Sequence, residues 1–397
     1  MNNTYIENGY VICKALGDAM NGKVNSVEKC RDKEDVECRL KFLKAHNLLT
    51  FYDFVIDKND VEFYLGKDKS KLFSDKVKKA VFKQMKLEMK SDTISARLRE
   101  SSVKHLILKG TTLKKFYPEN IVRTSTDIDI YVDESDLSVA DEVLKNLGFT
   151  FEGRYNECDY NYIKEPRYKV EVHTSMDGYT KEQKHTLKQL ADKTLENNCD
   201  VCSLSDDDTY IYIVFHLYKH FVQSGAGVRM LLDIHLMRKN ANLDFSYISV
   251  ILCELGIDGF EEVMSKICRV LFENEEADDE LKDVVEFIFD SGAFGKVSNY
   301  RHLSKINLTQ TYRSKTKQMS LAYGLSFKAM KERYPVLKKA PVLYPFSFIH
   351  RFIYSVFHRR DVLEKEYIQQ KSISKSRIKD YEKIFITTKI EKDNTKK

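Results

Sequence analysis

Asp127-Ile128-Asp129-Ile130-Tyr131-Val132 constrains this chain more than any other stretch. The run is apolar and β-branched except for two carboxylates two residues apart, a spacing that puts both on one face of a strand. Ile128, Ile130 and Val132 then point the other way and can enter a core. Two carboxylates that close repel each other unless a cation lies between them. The hard cation that suits such a pair, and that shares itself with phosphate oxygens, is Mg²⁺, or Mn²⁺ in its place.

Upstream, His105-Leu106-Ile107-Leu108 is a short apolar run, and Lys109-Gly110-Thr111-Thr112 opens a segment of helical character, Leu113 to Phe116. Strand, glycine turn and helix start together make a phosphate site. Gly110 lets the backbone approach a ligand, Thr111 and Thr112 offer hydroxyls, and free N–H groups at the helix start favour an anion. Lys109 either neutralises phosphate or ends the strand in solvent.

Bulk properties narrow the field. The chain has 397 residues, with Lys plus Arg at 65 against Asp plus Glu at 60, a net charge of +5. So mild an excess does not mark a nucleic-acid binder. No apolar run reaches the roughly 18 residues that a bilayer span requires. Met1-Asn2-Asn3-Thr4-Tyr5 lacks the basic start and apolar core of a secretory signal, so the eight cysteines read as free thiols of a cytoplasmic protein. Cys199-Asp200-Val201-Cys202 has the spacing of metal and redox sites, but no second pair accompanies it, and both are taken as ordinary thiols.

Periodicity divides the chain into four parts: a helical N-terminal region, 1–100; a core of alternating strands and helices, 101–200; a helical C-terminal domain, 201–345; and a basic, aromatic tail, 346–397, partly disordered. Within the core, strands are expected at Lys104–Leu108, Asp127–Val132 and Lys169–Thr174, with weaker ones near Phe149–Gly153 and Tyr160–Ile163. Helices are expected at Thr111–Phe116 and Ser135–Leu147, with Ser135 as N-cap and Gly148 just past the end. The fold class is therefore α+β, a small mixed sheet flanked by helical regions.

Leu108-Lys109-Gly110 followed by Arg123 and then Asp127-Ile128-Asp129 resembles a largely uncharacterised bacterial nucleotidyltransferase family, NTP_transf_5, within the superfamily of DNA polymerase beta. Val170-Glu171-Val172-His173, the helix from His216 to Phe221, and Arg229 with Asp233 are similar to the family's later blocks. The resemblance covers roughly residues 100–240 and implies a metal-dependent transferase. A nucleoside triphosphate would give its monophosphate to an acceptor hydroxyl and release pyrophosphate. It implies Asp127 and Asp129 as metal ligands, with Glu171 completing the catalytic set or acting as general base. Phosphoryl transfer needs such a cluster because it is mainly positioning and charge neutralisation. The commoner superfamily turn is Gly-Ser or Gly-Gly; here it is Gly110-Thr111, preceded by Lys109.

Arg123 matches the family's arginine, with two roles open: contact to triphosphate, or pairing with a carboxylate. His216, Lys219 and His220 share one helix face; the resemblance raises Lys219 and His220 as nucleotide or acceptor contacts, against a polar face packed beside the cleft. Arg229 and Asp233 lie one helical turn apart, as a surface ion pair or as readers of base or ribose. The acceptor stays open among a small molecule, a protein and an RNA. Residues 344–360, YPFSFIHRFIYSVFHRR, carry an aromatic stripe with basic flanks. They dock on the core, or make peripheral contact with a membrane or an acidic partner, or stack on single-stranded nucleic acid. The rival to the enzyme is a non-catalytic nucleotide-binding or scaffolding protein that keeps the fold.

Overall fold

The computed structural model describes residues 3–296 apart from 24–26, 111, 119–122, 155–157, 166–167, 177, 198–202 and 294, together with scattered positions between 299 and 350 and residues 375–390. It is α+β, as the sequence implies: helices flank a five-stranded mixed sheet.

The N-terminal helices are α1 (Asn3–Met20), α2 (Lys33–Ala45), α3 (Tyr52–Val55), α4 (Lys58–Leu65) and the long α5 (Lys67–Glu100). The sheet follows as β1 (His105–Leu108), β2 (Ile128–Val132), β3 (Thr150–Arg154), β4 (Asp159–Lys164) and β5 (Tyr168–His173), with α6 (Leu137–Asn146) between β2 and β3. Helices α7 (Lys181–Asn197), α8 (Asp206–Gln223), α9 (Val228–Asn240), α10 (Phe245–Glu254), α11 (Asp258–Phe272) and α12 (Asp279–Ser291) come next. No helix among the described residues is long and apolar enough to cross a membrane.

The strand order is β1-β2-β5-β4-β3, with β2 and β5 parallel and the other pairs antiparallel. The two-residue period of a strand sorts the faces. Ile128, Ile130, Val132, Val170, Val172, Tyr160 and Tyr162 form a core with Leu87, Ile94 and Leu98 of α5 and with Ala140, Val143 and Leu144 of α6. The opposite face carries two cross-strand rows. One is Leu108, Asp129, Glu171 and Asn161; the other is Leu106, Tyr131, His173 and Asp159. This face meets a larger core shared by the N-terminal helices and α7 to α12. Gly17 permits the closest approach in that core, because a Cβ there would overlap the Phe272 carbonyl at the end of α11.

Local chemistry sets where helices begin. Asp32, Asp57, Ser205, Asp244 and Asp278 each accept a backbone N–H from the first turn of α2, α4, α8, α10 and α12, a device worth about 1 kcal/mol each. The acid run Asp206-Asp207-Asp208 lies in the first turn of α8, where the helix dipole favours it.

One expectation, the Ser135 cap, needs correction, and two local details add to the rest. The helix expected after Gly110 is present and is of the 3₁₀ type, Thr112–Phe116. Thr112 turns both its N–H (2.9 Å) and its hydroxyl (2.7 Å) back to the Lys109 carbonyl, which tightens the turn. Ser135 does not cap α6. Asp133 accepts its N–H and its hydroxyl and builds a 3₁₀ turn first, so the helix starts at Leu137. The tail includes a helix, Lys375–Thr387. Its Tyr381, Ile384 and Phe385 are buried in the larger core, Tyr381 packs on Phe287 of α12, and Lys383 pairs with Asp283 at 2.6 Å. Apolar residues at helical spacing were enough to dock it. Residues 351–360 of the aromatic stripe, together with Cys199 and Cys202, lie outside the described residues.

Candidate active site

Asp129 and Glu171 are register partners on the parallel pair β2 and β5, and parallel neighbours point the same way. Asp127 stands just before β2. All three line one cleft of about 200 Å³, together with Lys109, Gly110 and Arg123 from the β1–β2 connection and with side chains of α8 and α9. Thr111 lies outside the described residues.

Charge is concentrated there and is partly balanced from within. The Lys109 ammonium is 3.1 Å from Asp129 Oδ1. His173 Nε2 is 3.2 Å from the same oxygen and 3.9 Å from Glu171 Oε2, while His173 Nδ1 meets Asp159 Oδ1 at 2.8 Å. Lys169 donates to Glu171 Oε1 at 2.5 Å. Burial disfavours the Asp129 charge, but Lys109 and His173 outweigh it and hold this carboxyl below the usual carboxylate range. Asp127 goes the other way: burial first, then Asp129, push its proton affinity up. Burial also disfavours the His173 cation, yet its bonds to Asp129 and Asp159 raise it to about 9. Lys109, buried against Asp129, is held charged above the usual lysine range.

Lys109 occupies its place at a backbone cost. It and Gly110 are consecutive residues of positive φ, 51° and 44°, a conformation a non-glycine residue adopts only when its surroundings insist. The reward is the aim of the side chain: it turns inward to Asp129 rather than ending the strand in solvent.

Arg123 lines the cleft and pairs with a carboxylate. Its Nε and Nη2 donate to the two oxygens of Asp233 at 2.6 and 2.8 Å, and Tyr117 adds its hydroxyl to Asp233 at 2.6 Å. Arg123 Nη1 also donates to the Gly110 carbonyl and to Ser125 Oγ, each at 3.0 Å. The phosphate-type turn and the segment before Asp127 are thereby tied to α9. Asp233 does not form the expected surface pair with Arg229. Arg229 instead donates through Nη1 to the Thr124 carbonyl at 2.5 Å. Its Nε is buried with no acceptor among the described residues, and burial together with Arg123 disfavours its charge. An underused guanidinium that lines a cleft suits an anion.

On α8, His216 and His220 line the cleft and Lys219 is not among the lining residues. The two rings contact edge to face at 4.5 Å. Burial, then Lys109 and His220, keep His216 neutral. Of the shared face, the family resemblance raised Lys219 and His220; His220 lines the cleft, and so does His216. His173 is the larger omission. Asp129, Glu171 and His173 offer ligand atoms that all lie within 4.8 Å of one another, a convergence legible only once the β2–β5 register is known. Oxygen from carboxylates and nitrogen from imidazole form a donor set that fits a divalent ion.

A family model described as an uncharacterised nucleotidyltransferase matches residues 32–273, more than half of the chain. Comparison with the curated proteins and with the solved structures found no match.

Proposed function

Since the chain belongs to the uncharacterised nucleotidyltransferase family NTP_transf_5, we propose that it moves a nucleoside monophosphate from a nucleoside triphosphate to an acceptor hydroxyl. The observation that carries this is the pairing of Asp129 with Glu171 across two parallel strands, with Asp127 in the same cleft. A divalent ion, Mg²⁺ or Mn²⁺, held by these carboxylates would neutralise triphosphate oxygens and polarise the α-phosphorus.

The chain's own residues do the rest. Arg229, with its unmatched Nε, faces the anionic triphosphate. Lys109, already charged and inside the cleft, adds a second cation. Leu113, Ile213 and Met230 give a nucleobase an apolar wall. Glu171 either completes the ion's ligands or takes the proton of the acceptor hydroxyl. The acceptor oxygen forms a bond to the α-phosphorus, the bond from that phosphorus to the bridging oxygen breaks, and pyrophosphate leaves with the electron pair.

The test is incubation with each nucleoside triphosphate, labelled at the α-phosphate, plus Mg²⁺ or Mn²⁺ and a cell extract. Label on an acceptor with matching pyrophosphate release, absent in Glu171→Gln, supports the proposal. No labelled product from any of the four common nucleotides contradicts it and favours a nucleotide-binding scaffold.

A further inference from the structure

We propose that His173 is a direct ligand of the divalent ion, and that its nitrogen gives the site a preference for Mn²⁺ over Mg²⁺. The inference rests on the nucleotidyltransferase reading and deepens it. Carboxylates alone do not discriminate strongly between these two hard ions. An imidazole does, because Mg²⁺ takes oxygen almost exclusively while Mn²⁺ accepts nitrogen readily.

Three observations carry the assignment. The first is convergence: His173 Nε2 lies 3.2 Å from Asp129 Oδ1 and 3.9 Å from Glu171 Oε2, and the three ligand atoms share one small volume. Lys109 and Lys169 already pair with Asp129 Oδ1 and Glu171 Oε1; where both carboxylates approach the ring nitrogen itself, a proton on the ring or a metal ion is the further cation that fits.

The second is the far side of the ring. Asp159 Oδ1 takes Nδ1 at 2.8 Å. When a carboxylate holds Nδ1–H, the lone pair resides on Nε2 and the ring plane is fixed toward the other donors. That carboxylate–histidine arrangement is the usual support of a metal-bound imidazole. Sheet register builds it here, since Asp159 pairs with His173 across β4 and β5.

The third is Asn161. It pairs in register with Glu171 on the same face, is 3% exposed, and its Oδ1 has no donor among the described residues. A buried acceptor without a donor is costly. A metal-bound water beside Glu171 would supply that donor.

The experiment is pulsed EPR on the full chain loaded with Mn²⁺, without nucleotide, combined with Mn²⁺ and Mg²⁺ titrations. Wild type is expected to show nitrogen modulation from a coordinated imidazole and to bind Mn²⁺ at least about tenfold more tightly than Mg²⁺. In His173→Gln, Mn²⁺ stays bound through the carboxylates, the modulation disappears, and the preference collapses. In Asp159→Asn the modulation stays and Mn²⁺ affinity falls about 10-fold or more.

Wild-type Mn²⁺ without nitrogen modulation overturns the inference while leaving the nucleotidyltransferase reading intact. So does modulation that survives in His173→Gln, because it then comes from His216 or His220. Failure of wild type to bind either ion overturns the metal centre and the inference together. If His173→Gln does not fold, Asp159→Asn decides the matter: Asp159 holds His173 Nδ1, so Mn²⁺ affinity unchanged in that variant overturns the inference.

Discussion

The clearest energetic prediction concerns Asp233. Its carboxylate is buried, takes both forks of Arg123 at 2.6 and 2.8 Å, and takes the Tyr117 hydroxyl at 2.6 Å. Replacing Asp233 by Leu leaves the Arg123 guanidinium buried and uncompensated, at a cost of about 3–5 kcal/mol. The stranded Tyr117 hydroxyl adds to this, though not additively. Against a typical stability of about 5–15 kcal/mol this is a large fraction. The double variant Arg123→Met/Asp233→Leu removes both charges together. It forfeits the bonds from Arg123 to the Gly110 carbonyl and to Ser125, so it should recover to within about 2 kcal/mol of wild type. Urea unfolding followed by circular dichroism, run as a double-mutant cycle, measures both. A single variant that loses under about 1 kcal/mol, or a double variant no more stable than Asp233→Leu, would refute the reasoning.

Gly110→Ala forces a side chain into a φ of +44°, with its Cβ 3.2 Å from Ser125 Oγ; a loss of about 1–2 kcal/mol is expected in the same unfolding assay. Lys109 competes with an ion for Asp129 Oδ1, so Lys109→Met should raise Mn²⁺ affinity in a nucleotide-free titration, and an unchanged or weaker affinity would count against that competition. His46 is fully buried, with Nδ1 accepting the Val228 N–H at 3.3 Å, and burial lowers its pKa to about 3. Below about pH 6.5 the unfolded chain takes up a proton that the folded chain refuses. Stability owed to this group is therefore complete above that pH and declines by about 1.4 kcal/mol per unit as pH falls toward 3. His46→Gln, which keeps an acceptor, should remove that part of the slope in unfolding measured from pH 7 downward.

Legibility of the chain followed the range of the forces involved. Strong two-residue and helical periods placed every strand and most helices among the described residues, because local pattern decides which face is buried. The turn after Gly110 and the start of α6 escaped, because each depends on one polar group choosing between neighbours: Thr112 on the Lys109 carbonyl, and Asp133 on Ser135. At the site, Asp127, Asp129, Lys109 and Gly110 were visible because they are close in sequence. The Arg123–Asp233 pair spans 110 residues, and nothing in either segment announces it. Glu171 was reached through the family resemblance, since its approach to Asp129 is set by strand register. His173 shares a strand face with Glu171, which the alternation did reveal, but its ligand-like setting requires Asp159 from β4. The tail helix was missed because composition outweighed the spacing of Tyr381, Ile384 and Phe385.

The central claim is that a divalent ion lodges among carboxylates delivered by neighbouring strands. Anomalous diffraction from a crystal equilibrated with Mn²⁺ and a non-hydrolysable nucleoside triphosphate addresses this directly. The expected result is an anomalous peak bounded by Asp129 and Glu171, with triphosphate density extending toward Arg229. A crystal with no peak in the cleft, or with the ion elsewhere on the molecule, would contradict it.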